Sequence, residues 1–183
     1  MRTAQAGGPG LPVVHEPRVR RCGHYIATIT PQEAQTLSHL VLDRNAIQIA
    51  DAINAGPGRE NAQPVTPAMV RVRLNSLRDK AAAQTWVQLV DTACRARLLL
   101  PRAELTMPLP VAAVATLRLA VLGHTNQRIA GTRGISLATV GSHLATIRYR
   151  MRTRGTPAAV YRLHGVPDAL DNTPYCLACQ GGR

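Results

Sequence analysis

One pattern is written twice in this chain, and a duplicated pattern constrains the fold more than any single motif does. The segment from Ile29 to Ala50 aligns without a gap with the segment from Leu109 to Ala130. Leu37 pairs with Leu117, Val41 with Val121, Leu42 with Leu122, Ile49 with Ile129 and Ala50 with Ala130. A loop that is longer in the first copy interrupts the match. Thr66 then pairs with Ser136, Ala68 with Ala138, Val70 with Val140, Leu74 with Leu144, Arg78 with Arg148 and Val90 with Val160. The shared positions are mostly apolar, so the repeat implies two copies of one packed architecture.

The copies read as helices. Thr30-Pro31-Gln32-Glu33 supplies an N-cap, a Pro at the first helical position and a capping-box Glu. Ala34, Leu37, Leu40 and Val41 follow at helical spacing. A second helix is predicted over 46–54, ahead of a turn-rich stretch over 54–64. Thr66-Pro67 starts a third, with an apolar stripe at Val70, Leu74, Leu77 and Ala81. A fourth is predicted over 84–99, and the three Pro residues in 100–110 read as a linker. The second copy predicts helices over 111–122, ending at the C-cap Gly123, over 126–132, from the N-cap Ser136 onward, and over 156–163. Hydrophobic residues make up 45% of the chain but aromatics only 3%, with no Phe, so the core must be Leu, Val, Ile and Ala. That suits packed helices better than a β-sandwich, and it argues against single-strand binding on aromatic platforms.

The net charge is +12, which favours polyanions. Lys80 is the only Lys among the 22 basic residues. Guanidinium forks suit phosphates and guanine edges, although codon bias alone also yields an Arg-rich chain. No run approaches the length needed to span a bilayer, and the basic N-terminal stretch has no apolar segment of a signal peptide. The expected setting is therefore cytoplasmic and nucleoid-associated.

The second copy resembles the LuxR/FixJ-type helix-turn-helix domain. The residues that carry this are Leu117-Arg118-Leu119, Gly123, Thr125-Asn126, Ile129-Ala130, Ile135-Ser136, Thr139-Val140, His143-Leu144, Ile147, Arg154 and Ala159-Val160. The first copy resembles the same family through Thr30-Pro31, Glu33, Leu37, Ile49-Ala50 and Thr66 to Leu77. The resemblance implies four-helix DNA-binding domains whose third helix enters the major groove and whose fourth supports dimerisation, and it implies transcriptional regulation. Members usually attach this domain to a receiver or ligand-binding domain, whereas here a second copy fills that place.

The expected fold is all-α, with two tandem four-helix helix-turn-helix domains joined by a Pro-rich linker. The boundaries are a basic arm over 1–26, a first domain over 27–100, a linker over 101–108, a second domain over 109–166 and a Cys-containing tail over 167–183. Opposite the buried stripe, the third helix of the first copy presents Arg71, Asn75, Arg78 and Asp79. Arg can pair with guanine and Asn with adenine. Thr66 at the helix start can hold a phosphate, and Arg73, Lys80, Arg95 and Arg97 add charge for the backbone. The second copy offers Gly141, Ser142, Ala145, Arg148 and Tyr149, with Thr146 as a modest contact. Beyond them Arg148, Arg150, Arg152 and Arg154 form a run suited to phosphates. The resemblance adds Thr139, and His143 in a structural or phosphate-contacting role.

Cys176-Leu-Ala-Cys179 is a zinc half-site, and Cys22 with His24 could supply the other two ligands. The alternative is reduced thiols in a tail. No cofactor is otherwise required. Cys94 falls on the apolar side of the fourth helix. No nucleophile–base constellation, phosphate-binding Gly loop or paired-carboxylate site has supporting context, so an enzyme is not expected. The expected partner is double-stranded DNA, with RNA polymerase or a second copy of the chain as further candidates. Alternatives to a transcription regulator are a DNA-organising or replicon-maintenance protein and an RNA-polymerase or protein-interaction adaptor.

Overall fold

The computed structural model describes residues 29–58, 62–101, 108–166 and 169–170. Among them are eight α-helices: α1 (Pro31–Leu40), α2 (Ala46–Asn54), α3 (Pro67–Lys80), α4 (Trp86–Arg95), α5 (Val111–Val121), α6 (Asn126–Arg133), α7 (Leu137–Arg150) and α8 (Thr156–Leu163). The described chain is all-α, and none of its helices is long and apolar enough to cross a membrane.

Local chemistry fixes where most helices begin. Thr30, Asn45, Thr66, Thr85, Thr125 and Ser136 each accept a first-turn backbone N–H through the side chain. Such a cap contributes about 1 kcal/mol. Glu33 and Gln48 reach back to the cap residue's own N–H and complete capping boxes on α1 and α2.

Several helices end alike. Ala82, Arg97, Gly123, Gly134 and Arg152 are left-handed, with φ of 48°, 59°, 89°, 62° and 50°. The next N–H then bonds back into the last turn, as Leu98 does to the Ala93 carbonyl and Thr153 to that of Arg148, both at 2.9 Å. This reversal stops α4 at Arg95, short of the helix expected to reach residue 99. Leu98 and Leu99 fold back as buried plugs instead of extending the helix. In the longer loop of the first half, Asn54 donates to the Val65 carbonyl at 2.9 Å and accepts its N–H at 2.8 Å. That pair closes the loop at its base and seats Val65 in the core.

Helices α1, α2 and α3 pack on one another, and α5, α6 and α7 do the same. The most extensive helix–helix contact lies between the halves, where α4 packs against α8. One continuous core therefore runs through both, from Leu37, Ile49 and Leu77 to Leu117, Ile129 and Ile147.

Two residues that correspond in the repeat, Asp43 and Gly123, both lie at this seam. Asp43 in the α1–α2 loop meets the start of α8, accepting the N–H groups of Arg154 and Gly155 at 2.8 Å each. Gly123, its counterpart in the repeat, meets Gln88 in the first turn of α4. These two residues thus each meet the beginning of the other half's fourth helix, as in an isologous, two-fold-like interface. Here it lies within one chain. The match extends to the backbone, because Asp43 and Gly123 are both left-handed, with φ of 61° and 89°.

An added Cβ at Gly123 would sit 2.4 Å from Gln88 Oε1, so the Gln88 side chain would have to move and give up the Gln84 N–H that it accepts at 2.7 Å. Gly134 is left-handed too, but open space surrounds it. Gly123→Ala should destabilise the protein by about 2–3 kcal/mol and Gly134→Ala by only about 1 kcal/mol. Urea titrations of both variants check this, and equal losses would remove the close approach at the seam.

Candidate nucleic-acid interface

The third helix of each half shows the same outward stripe. On α3 it consists of Ala68, Val72, Asn75 and Asp79; on α7 of Ala138, Ser142, Ala145 and Tyr149. All eight are exposed, and they correspond one to one in the repeat. The opposite faces hold Val70, Leu74 and Leu77, and Val140, Leu144 and Ile147, in the core. Helical spacing leaves no other arrangement once those residues are buried.

Arg71 stands exposed beside the α3 stripe, where α7 has Gly141. Arg71, Val72 and Asn75 therefore form one surface that offers a guanidinium, a branched apolar group and a carboxamide. Val72, 66% exposed, is the residue that polar chemistry alone overlooks. Its signal in the sequence is an apolar residue standing out of phase with the buried stripe. Tyr149, 75% exposed, takes the matching place to Asp79 on α7.

Other expected contacts lie off this surface. Arg78 lays its guanidinium over the Trp86 ring, 5.0 Å from the centroid. Arg148, its counterpart, reaches Thr156 Oγ1 at 3.4 Å, so both lean toward the start of the next helix. Arg73 is partly buried, with Nη1 enclosed. The Thr66 hydroxyl accepts the Met69 N–H, and those of Ser136 and Thr139 bond to each other at 2.8 Å. The Thr146 hydroxyl donates to the Ser142 carbonyl, while the Ser142 side chain is exposed. Arg152 and Arg154 are exposed, and Arg150 is partly so. Cys94 is buried in the seam region, and its surroundings push the thiol well above its usual range, burial foremost. Cys22, His24, Cys176 and Cys179 lie outside the described residues.

Different chemistry fastens α3 and α7. Glu33, 5% exposed, accepts from the Lys80 ammonium at 2.8 Å, the Ser76 hydroxyl at 2.7 Å and the Thr30 N–H at 2.7 Å. It therefore ties the start of α1 to the last turns of α3, and it holds Lys80 there. The second half has Ala113 in place of Glu33. There the Thr116 hydroxyl meets His143 Nδ1 at 2.8 Å, and the Arg133 guanidinium lies against both and donates to the Ala112 carbonyl at 2.8 Å. His143 thus turns its Nδ1 toward α5, into the fold.

No family model, curated protein or solved structure matches the chain.

Burial works to raise the Glu33 carboxyl, but Lys80, the Thr30 N–H and hydroxyl and Ser76 outweigh it and hold the pKa at about 2, below the ordinary 4.5. A carboxyl lowered in the fold contributes stability that is full above its unfolded value and is lost as pH falls toward its folded value. Glu33→Gln should therefore cost about 1–3 kcal/mol at neutral pH. The gap between wild type and variant should close as pH falls from 4.5 toward 2. Chemical denaturation across that range checks it, and a gap that does not change with pH would deny Glu33 a charged role.

Proposed function

We propose that the chain binds double-stranded DNA sequence-specifically as a transcription regulator, using two LuxR/FixJ-type helix-turn-helix units on one polypeptide. In this reading α2–α3 and α6–α7 are the helix-turn-helix pairs, and α3 and α7 enter successive major grooves about one helical turn apart. The α4–α8 seam then does within one molecule what a dimer interface does between two. The observation that supports this most is the pair of corresponding outward stripes, carried on two halves that meet as an isologous pair. A net charge of +12 supplies the attraction to phosphate.

The two stripes take different parts. On α3, Arg71 can pair with guanine and Asn75 with adenine, while Val72 can pack on a thymine methyl. On α7, Ala138, Ser142 and Ala145 are small, so that helix can sit close to the bases with little side-chain readout. Arg150, Arg152 and Arg154 then hold the DNA backbone. The binding site is accordingly non-palindromic.

Two measurements test this. In binding competitions between a selected site and random duplex, Arg71→Ala and Asn75→Ala should each reduce the preference by about 1–3 kcal/mol. Arg150→Ala should weaken both duplexes alike and lower the salt slope by about 1. Equal loss of preference from all three would sink the assignment of roles. Sedimentation of the complex should find one chain per site, and an obligate pair of chains would contradict the intramolecular arrangement.

A further inference from the structure

A second basic feature lies at the seam. The α1–α2 loop and the α7–α8 loop face each other across an open cleft of about 330 Å³, lined by Leu42, Asp43, Arg44, Gln48, Arg152 and Arg154. Its arginines come from both halves. Like charges gathered in one cleft repel one another, and Asp43 pins the backbone at Arg154 beside them. Its two carboxylate oxygens each accept a backbone N–H, from Arg154 and Gly155. The carboxylate is thereby committed to the start of α8, whose N-cap Gly155 has no side chain to cap with.

The arginines stay available. Arg152 and Arg154 are exposed at the helix end. Arg44 is oriented from behind, its Nη1 bonding His39 Nδ1 at 2.7 Å. Burial, with Arg44 adding to it, keeps His39 below its usual pKa, so the ring serves as a neutral acceptor. The corresponding positions elsewhere in the repeat are His124, Ala82 and Gln84, so the second copy of this arrangement has no arginine at any of the three.

We propose that this seam cleft is a phosphate-binding site, with the Arg44, Arg152 and Arg154 guanidiniums as charged donors and the Gln48 carboxamide as a neutral one. An anion relieves the repulsion among three guanidiniums that line one cleft, of which Arg44 is oriented by His39, and charge-assisted bonds to phosphate oxygens are the strongest such groups form. The phosphate is either that of a DNA strand crossing the seam or that of a free phosphorylated small molecule. Only the first source rests on the proposed function.

The test uses the full chain and inorganic pyrophosphate, titrated calorimetrically at low ionic strength. One pyrophosphate per chain is expected. Arg154→Gln and Arg44→Gln should each weaken it roughly tenfold. Arg152→Gln should act in the same direction, and Arg71→Gln on the outward stripe should change nothing. Arg154 and Arg152 are exposed, so their variants keep the test intact even if Arg44→Gln disturbs His39. Absence of binding to the wild type overturns the site, whatever DNA does. So does binding that the cleft variants leave unchanged. A second arm repeats the titration with a DNA duplex present. Competition would identify a DNA strand as the source, and independent binding would identify a small molecule. A chain that binds pyrophosphate but no DNA keeps this site and loses only the function proposed above.

Discussion

The packing of α4 against α8 is the contact on which the rest of the structure depends. Each half has three short helices around a few Leu, Val and Ile side chains, and cores that small are marginal alone. The fourth helices complete both at once. Leu89, Val90 and Ala93 on α4 and their counterparts Ala159, Val160 and Leu163 on α8 are all buried. Asp91 is buried among them, accepting from Arg95 Nε at 2.7 Å and meeting His164 Nε2 at 2.8 Å. A buried carboxylate is costly without partners, and one of these comes from the other half. The seam is therefore committed on both apolar and polar grounds, and Tyr161 adds a hydrogen bond to the Leu100 carbonyl.

A duplicated scaffold keeps what the core requires and releases the rest. Thr36 and Thr116 are both buried and both bond the carbonyl one turn back, Gln32 and Ala112 respectively. The left-handed pair Ala82 and Arg152 survives although neither is Gly. Fastenings that leave the backbone unchanged have diverged. Glu33 with Lys80 and Ser76 serves one half, and Thr116 with His143 and Arg133 the other. Either set holds the third helix against the first, so the outward stripes can change without the scaffold changing.

Helix starts were legible in the sequence because capping is local: Thr30, Thr66 and Ser136 announce α1, α3 and α7 by themselves. The buried stripes were legible for the same reason, through spacing. The end of α4 was not, because Arg97 is an unusual left-handed residue whose conformation is set by Leu98 and Leu99 entering the core. Arg78 and Lys80 have positions that spacing alone cannot refine. Trp86 and Glu33, distant or differently phased in the sequence, draw them aside. The seam cleft was invisible because Asp43 and Gly155 are joined by folding alone. Val72 carries no donor or acceptor, so only its phase against the buried stripe marks it in the sequence.

The seam also explains how an unequal pair of stripes can work in the proposed binding mode. Two separate chains must each find their half of a site, so each must read well enough to be held. Halves fixed to one another meet their grooves together, and the second engagement becomes intramolecular. A helix faced with Ala138, Ser142 and Ala145 then needs only shape and phosphate contacts, provided that α3 sets the register. In a homodimer any change to the reading face would alter both half-sites at once. In this chain the copies vary separately, so Arg71 and Asn75 can persist on one while Gly141 and Ala145 occupy the other. In that mode the buried seam would keep the division of labour stable, because neither stripe could turn away from its groove without parting α4 from α8.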